Sequence, residues 1–206
     1  MSSPDRRFPL TWFLIVFGSL GVAIYALFGY TMFPVGSMVH PEMRAAYEAH
    51  PLGIYTHIFA SLIALALGPF QFAQRLRRKN VSLHRLLGRV YLLGVLLGGI
   101  SGLYLSRIAF GGLVSSVGFA LLACIWLFSG FMALHHIRHQ RVALHRRWMI
   151  RNFSLTFAAV TLRLYLGLFF AAGVSFETFY PLLAWICWVP NLVFVEWVLL
   201  ARVDRE

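Results

Sequence analysis

Six apolar runs, each long enough to cross a bilayer, divide this chain of 206 residues. A crossing helix needs about 20 consecutive apolar residues. The runs cover approximately 8–33, 52–74, 86–106, 112–135, 148–172 and 178–201. In hydrocarbon the backbone polar groups must be satisfied within the segment, so unbroken apolar runs of this length are read as helices. The expected fold is all-α and polytopic, a single transmembrane domain over 1–206, with helices two to five forming the central bundle. The chain is 60% hydrophobic with a mean hydropathy of +0.75, which leaves little for a separate soluble domain.

The first run follows Asp5, Arg6 and Arg7, as in a signal peptide. It is longer than a signal h-region and closes without a small-residue cleavage site, so it is expected to remain as helix one. The net charge of +11 sits between the apolar runs, at headgroup level. No basic helix with interleaved aromatics is present, and nucleic acid is not an expected partner. Lys and Arg concentrate before helix one, between helices two and three, between four and five, and after six. The alternate loops hold only Arg44 and Arg107, against Glu42, Glu48 and Glu177. The positive-inside rule places both termini and the basic turns in the cytoplasm; for a bacterial source the expected location is the inner membrane. Pro34 to Pro51 then faces outward. The expected partners are the bilayer and anionic lipids at its cytoplasmic face. The oligomeric state and any protein partner stay open.

Ionisable residues within membrane helices are costly, and they face the bundle interior or a cavity. His57, Ser61, Ala64, Gly68 and Gln71 share one stripe of helix two. His145, Asn152, Thr156, Ala159 and Arg163 share one stripe of helix five. Gly94, Gly98 and Gly102 form a small-residue stripe on helix three, which suits either close helix approach or a flat cofactor. At about 1.5 Å per residue, His57 lies roughly 8 Å and Arg163 roughly 13 Å below the outer ends of their helices. The same count puts Arg89, Arg151, Asn152 and Glu196 within about two turns of the inner edge. Two polar clusters are therefore expected. The outer one centres on His57 and Arg163. The inner one gathers His84, His145, Arg89, Arg151 and Glu196.

Blander roles compete for the same residues. His84, Arg85, Arg146 and Arg147 suit interfacial anchoring on lipid phosphate. Arg89, Arg151 and Glu196 suit a structural ion pair, and His57 suits an interhelical hydrogen bond. His135, His136 and His139 read as a solvated helix end. Cys124 and Cys187 read as small buried hydrophobes, having no CxxC context. The tryptophans, Trp126 included, read as interfacial belt or packing residues. Leu83-His84-Arg85 and Leu144-His145-Arg146 each follow a basic turn, a short echo of two helix-pair repeats.

Three blocks carry a family resemblance: His57 with Leu67-Gly68-Pro69-Phe70-Gln71, Leu83 through Tyr91, and His145 through Asn152 with Thr161-Leu162-Arg163. They resemble the domain-of-unknown-function 2306 family of predicted bacterial membrane proteins, from helix two to helix five. That resemblance implies a six-span topology and brings no established reaction. A looser likeness is to b561-type membrane cytochromes, also six-span, which pair histidines on facing helices at two depths. Here only His57 lies at the outer level, while His84 and His145 lie at the inner edge, which leaves room for one haem.

Three functions fit these residues. The first is a redox protein holding b-type haem or quinone. His84 and His145 would ligate haem iron, with Arg89 and Arg151 among the cofactor-binding groups. The second is a transporter of a small anion or proton-coupled solute. Its polar bundle site would draw on His57, Gln71, Asn152, Thr156, Arg163 and Glu196. The third is a non-catalytic membrane subunit or scaffold. No HExxH, Walker loop or paired-carboxylate arrangement is present, so hydrolysis is not expected. Whether the chain is an enzyme at all stays open.

Overall fold

The computed structural model describes residues 9–200. Residues 8 and 201, expected as the outer limits of the first and last helices, and the termini assigned to the cytoplasm lie outside the described residues. Six helical spans are long and apolar enough to cross a membrane. The first is α1, Pro9–Met32. A short amphipathic helix, α2, Pro41–Ala49, follows in the polar segment. The second span is α3, Pro51–Gln71. Prolines at the starts of α2 and α3 occupy positions where a missing N–H costs nothing.

A basic turn of helix, α4, Gln74–Lys79, leads to the third span, α5, Val81–Ser106. Asn80 caps α5, its Oδ1 accepting from the Leu83 N–H at 3.0 Å. The fourth span is α6, Gly112–Arg138. The fifth begins as α7, Val142–Thr156, and resumes after Phe157 as α8, Ala158–Ala171. The sixth comprises α9, Phe176–Ile186, then α10, Val189–Phe194, then a wider π turn, Val195–Leu200.

Several boundaries differ from those read in the sequence. Helix three starts at Val81, not 86, and helix five at Val142, not 148. Both helices extend into basic sequence, because charged side chains leave the backbone free to continue its hydrogen bonding. His84 and His145 thus lie inside helices instead of just ahead of them. The fifth and sixth spans are also broken. In the sixth, Pro190 follows the Cys187–Trp188 break and has no N–H to continue α9. At the fifth, Asn191 Nδ2 donates to the carbonyls of Ser154 at 3.2 Å and Cys187 at 3.1 Å, and to Thr161 Oγ1 at 3.1 Å. One side chain thereby ties the two breaks together.

Spans two to five make the central bundle. α3 and α5 pack most extensively on each other, α6 packs on both α5 and α7, and α7 returns to α3. α1 lies against α3, and α9 against α6 and α8. Lipid is as apolar as leucine, so close packing and interhelical hydrogen bonds, more than water exclusion, hold such a bundle. The α3–α5 seam shows how. A Cβ at Gly94 would sit 2.7 Å from the Ala60 carbonyl oxygen, and one at Gly98 2.7 Å from Ser61 Oγ. Further along, Gly102 faces His57 and Gly88 faces Gln71. The polar stripe of α3 therefore interlocks with the glycines of α5.

The centre of the bundle holds a closed polar network. The Tyr91 hydroxyl donates to Asn152 Oδ1 at 2.6 Å and lies 2.9 Å from Thr156 Oγ1. Asn152 Nδ2 donates to the Trp126 carbonyl and to Ser129 Oγ, both at 2.8 Å. Trp126 Nε1 donates to Thr156 Oγ1 at 2.8 Å. Tyr91 and Asn152 are fully buried. Trp126 is buried here and not a belt residue. His136 is also buried, where a solvated helix end was expected, and Cys124 is exposed while Cys187 is buried.

Candidate functional site

A cavity of about 370 Å³ opens between the spans at the end of the bundle that carries α2. Its walls are mostly apolar, with Ile58, Phe119, Leu122 and Leu162 among them. The polar groups on it include His57, Arg163, Tyr30, Tyr47, Thr156 and Glu42. Few polar groups within an apolar hollow of this size is the usual composition of a small-molecule site.

His57 is held by the helix seam. Its Nδ1 donates to the Gly98 carbonyl at 2.8 Å, and the ring rests over Gly102, where a Cβ would come within 3.0 Å of it. A carbonyl can only accept, so Nδ1 carries the proton of the neutral ring. Nε2 is then left with its lone pair, a hydrogen-bond and proton acceptor.

Arg163, on α8, stands in electrostatic reach of His57. Its Nη1 donates to the Ala159 carbonyl one turn back at 2.9 Å, and its guanidinium lies 5.8 Å from the Tyr25 ring centroid. The phenols of Tyr25, Tyr30 and Tyr47 surround it electrostatically. Among the described residues no carboxylate pairs with it. Burial pushes the Tyr47 phenol above its ordinary pKa, and Arg163 pulls it only part of the way back. Tyr47 is thus a neutral hydroxyl at ordinary pH, able to donate. The break after Thr156 divides α7, which carries Asn152, from α8, which carries Arg163. Trp126 and Thr156 belong both to that network and to the cavity wall.

The other candidates lie elsewhere. Asn152 sits in the central network and does not line the cavity. Gln71 is buried against Gly88 nearer the basic end. Arg151 and Glu196 form a two-pronged ion pair at 2.5 and 2.9 Å, with Arg151 also 4.7 Å from the Trp148 ring. Arg89 is exposed on α5 and takes no part in that pair. His84 and His145 are in electrostatic reach of one another, and His145 Nδ1 donates to the Ala133 carbonyl at 2.8 Å. Among the described residues no hydrogen bond joins the Arg151–Glu196 pair to His84 or His145.

A haem placed on the glycine face of α5 does not fit. α3, Trp126 and Leu127 occupy the space over Gly94, Gly98 and Gly99, and neither His84 nor His145 lines the cavity. Among the described residues no three His, Cys, Asp or Glu side chains are grouped as a metal site needs.

The sequence reading missed Tyr30, Tyr47 and Tyr180 of the cavity wall. Tyr47 lies on a segment read as a loop. Its signal was the helical spacing of Met43, Ala46 and Tyr47 on one face of α2.

Six crossings around a sparsely polar intramembrane cavity define a polytopic α-helical membrane protein. The chain belongs to the family described as predicted membrane protein (DUF2306), whose model matches residues 54–199. The match takes in both His57 and Arg163 of the cavity. No curated protein and no solved structure matches the chain.

Proposed function

We propose that this protein binds a small organic anion with an apolar body inside the membrane and carries it across. The observation that supports this reading is Arg163, a cation on an apolar-walled cavity with no carboxylate partner among the described residues. An arginine at membrane depth is expensive and marks a ligand or ion path by default. A ligand carboxylate would take the guanidinium fork. The Tyr30 and Tyr47 hydroxyls would supply further donors, and the aliphatic and aromatic walls would take the body. His57 Nε2 offers a proton acceptor on the same cavity, which suits uptake of the anion together with a proton. The charge distribution supports a cytoplasmic-membrane setting with the basic turns inside and α2 outside.

Benzoate and octanoate are suitable probes. Uptake of either into proteoliposomes should rise over empty vesicles and fall at least about tenfold in Arg163→Leu, the usual cost of losing one charge-assisted contact. Uptake unaffected in Arg163→Leu rejects the proposal.

A quinone site is the second reading, supported by the Trp126 and Phe119 rings on the wall and by the open His57 Nε2, which could accept from a quinol hydroxyl. Saturable binding of menadiol, kept reduced without air, that survives Arg163→Leu but not His57→Leu would favour it. If these substitutions altered stability alone, a scaffold role would remain.

A further inference from the structure

At the opposite end from the cavity, two turns of the chain press cations together. Arg77, on α4, is half-buried, and Arg146, near the start of α7, lies in electrostatic reach of it. Burial first, and then Arg146, hold the Arg77 guanidinium below its ordinary pKa. His84 stands in reach of Arg77, Arg85 and His145. Like charges gathered by a fold need a counter-charge. The carboxylates among the described residues are Glu42, Glu48, Glu177 and Glu196. The first two lie on α2 and the third opens α9, at the cavity end, and Glu196 is committed to Arg151.

Two buried polar atoms beside this cluster also lack partners. Gln71 is only 5% exposed, and its Nε2 makes no hydrogen bond. His84 Nδ1 is buried and makes none either. They belong together, since Gln71 Oε1 lies against Gly88, one turn beyond His84 on α5. Buried polar atoms are nearly always paired, and an orphan calls for a missing partner. Leu83, Leu86, Val90 and Leu93 form the exposed apolar face of α5, turned away from His84 and Gly88 as a lipid-facing surface is.

We propose that Arg77, Arg146, His84 and Gln71 form a site for the phosphate of an anionic glycerophospholipid, whose acyl chains join the surrounding bilayer. The arginines fork onto phosphate oxygens. The Gln71 amide and the His84 ring meet the remaining oxygens of the headgroup. The place of these basic turns at the ends of the spans, at headgroup level, favours a lipid over a free phosphate.

The test uses the purified full chain in detergent, with dioctanoyl-phosphatidylglycerol, dioctanoyl-phosphatidylcholine and inorganic phosphate as probes. Thermal unfolding and native mass spectrometry supply the readouts. Phosphatidylglycerol should raise the unfolding temperature and bind at least about tenfold more tightly than phosphatidylcholine. The pair Arg77→Gln with Arg146→Gln should lose about tenfold in that affinity. The pair Arg138→Gln with Arg141→Gln, which removes the same charge elsewhere at this end, should keep it. Equal loss in both pairs would reduce the effect to general surface charge and overturn the site. A full shift from inorganic phosphate alone would overturn the lipid. If the first pair fails to fold, equal binding of the two lipids by the unaltered protein is by itself decisive against the proposal.

Discussion

His57 and Gly102 face each other across the α3–α5 seam so closely that a Cβ on the glycine would lie 3.0 Å from both Nδ1 and Cε1 of the ring. The contact, together with the bond to the Gly98 carbonyl, turns the imidazole so that Nε2 is free. Gly102→Ala should therefore shift the ring, weaken benzoate binding several-fold, and destabilise the fold by about 1–3 kcal/mol, as overpacking does. Titration calorimetry and chemical unfolding read the two effects separately. Unchanged binding with lowered stability would detach His57 from the ligand.

Arg163→Lys keeps the charge and loses the fork. If charge as well as the fork holds the ligand carboxylate, Arg163→Lys should retain part of the affinity that Arg163→Leu loses. Equal loss in the two variants would mean that fork geometry, and not charge, governs recognition. Salt titration of benzoate binding separates the cases.

The central network should carry more stability than the ion pair. Asn152→Ala removes the acceptor of the Tyr91 hydroxyl and the donor to Ser129 Oγ and the Trp126 carbonyl in a buried setting, at a cost of about 1–3 kcal/mol. Glu196→Gln breaks a pair whose side chains are 23% and 38% exposed, and should cost about 1 kcal/mol or less. Unfolding in mixed micelles ranks the two. A larger loss from Glu196→Gln would reverse the assignment of which group is structural.

Tyr47 provides a pH test. Its folded-state pKa is raised, with burial as the largest cause. A raised acid contributes stability that is fully present below its unfolded value and is lost as pH rises towards the folded one. The loss should begin near about pH 10, the ordinary tyrosine value. Unfolding temperatures measured from about pH 9 upward should fall less steeply in Tyr47→Phe than in the unaltered protein. Identical slopes would show that Tyr47 is not enclosed.

The α3 stripe was legible because helical periodicity alone aligns His57, Ser61, Ala64, Gly68 and Gln71. The structure sets this stripe against Gly102, Gly98, Gly94 and Gly88, with Gly68 under Phe153. The depth count could not distribute those residues between sites. Gln71 shares a stripe with His57 yet belongs to the other end of the bundle. Asn152 and Arg163 share a stripe in sequence, but the break at Phe157 puts them on different helices, Asn152 in the network and Arg163 on the cavity.

Crossing number and helical class were determined by the sequence itself, because satisfying a backbone in lipid is a local requirement that each apolar run meets alone. The partners of Arg163 were decided only in three dimensions. Tyr25 and Tyr30 reach it from α1 and Tyr47 from α2. Which phenol faces which cation depends on the rotation of each helix against its neighbours, set by close packing at glycines and by the two breaks that Asn191 joins.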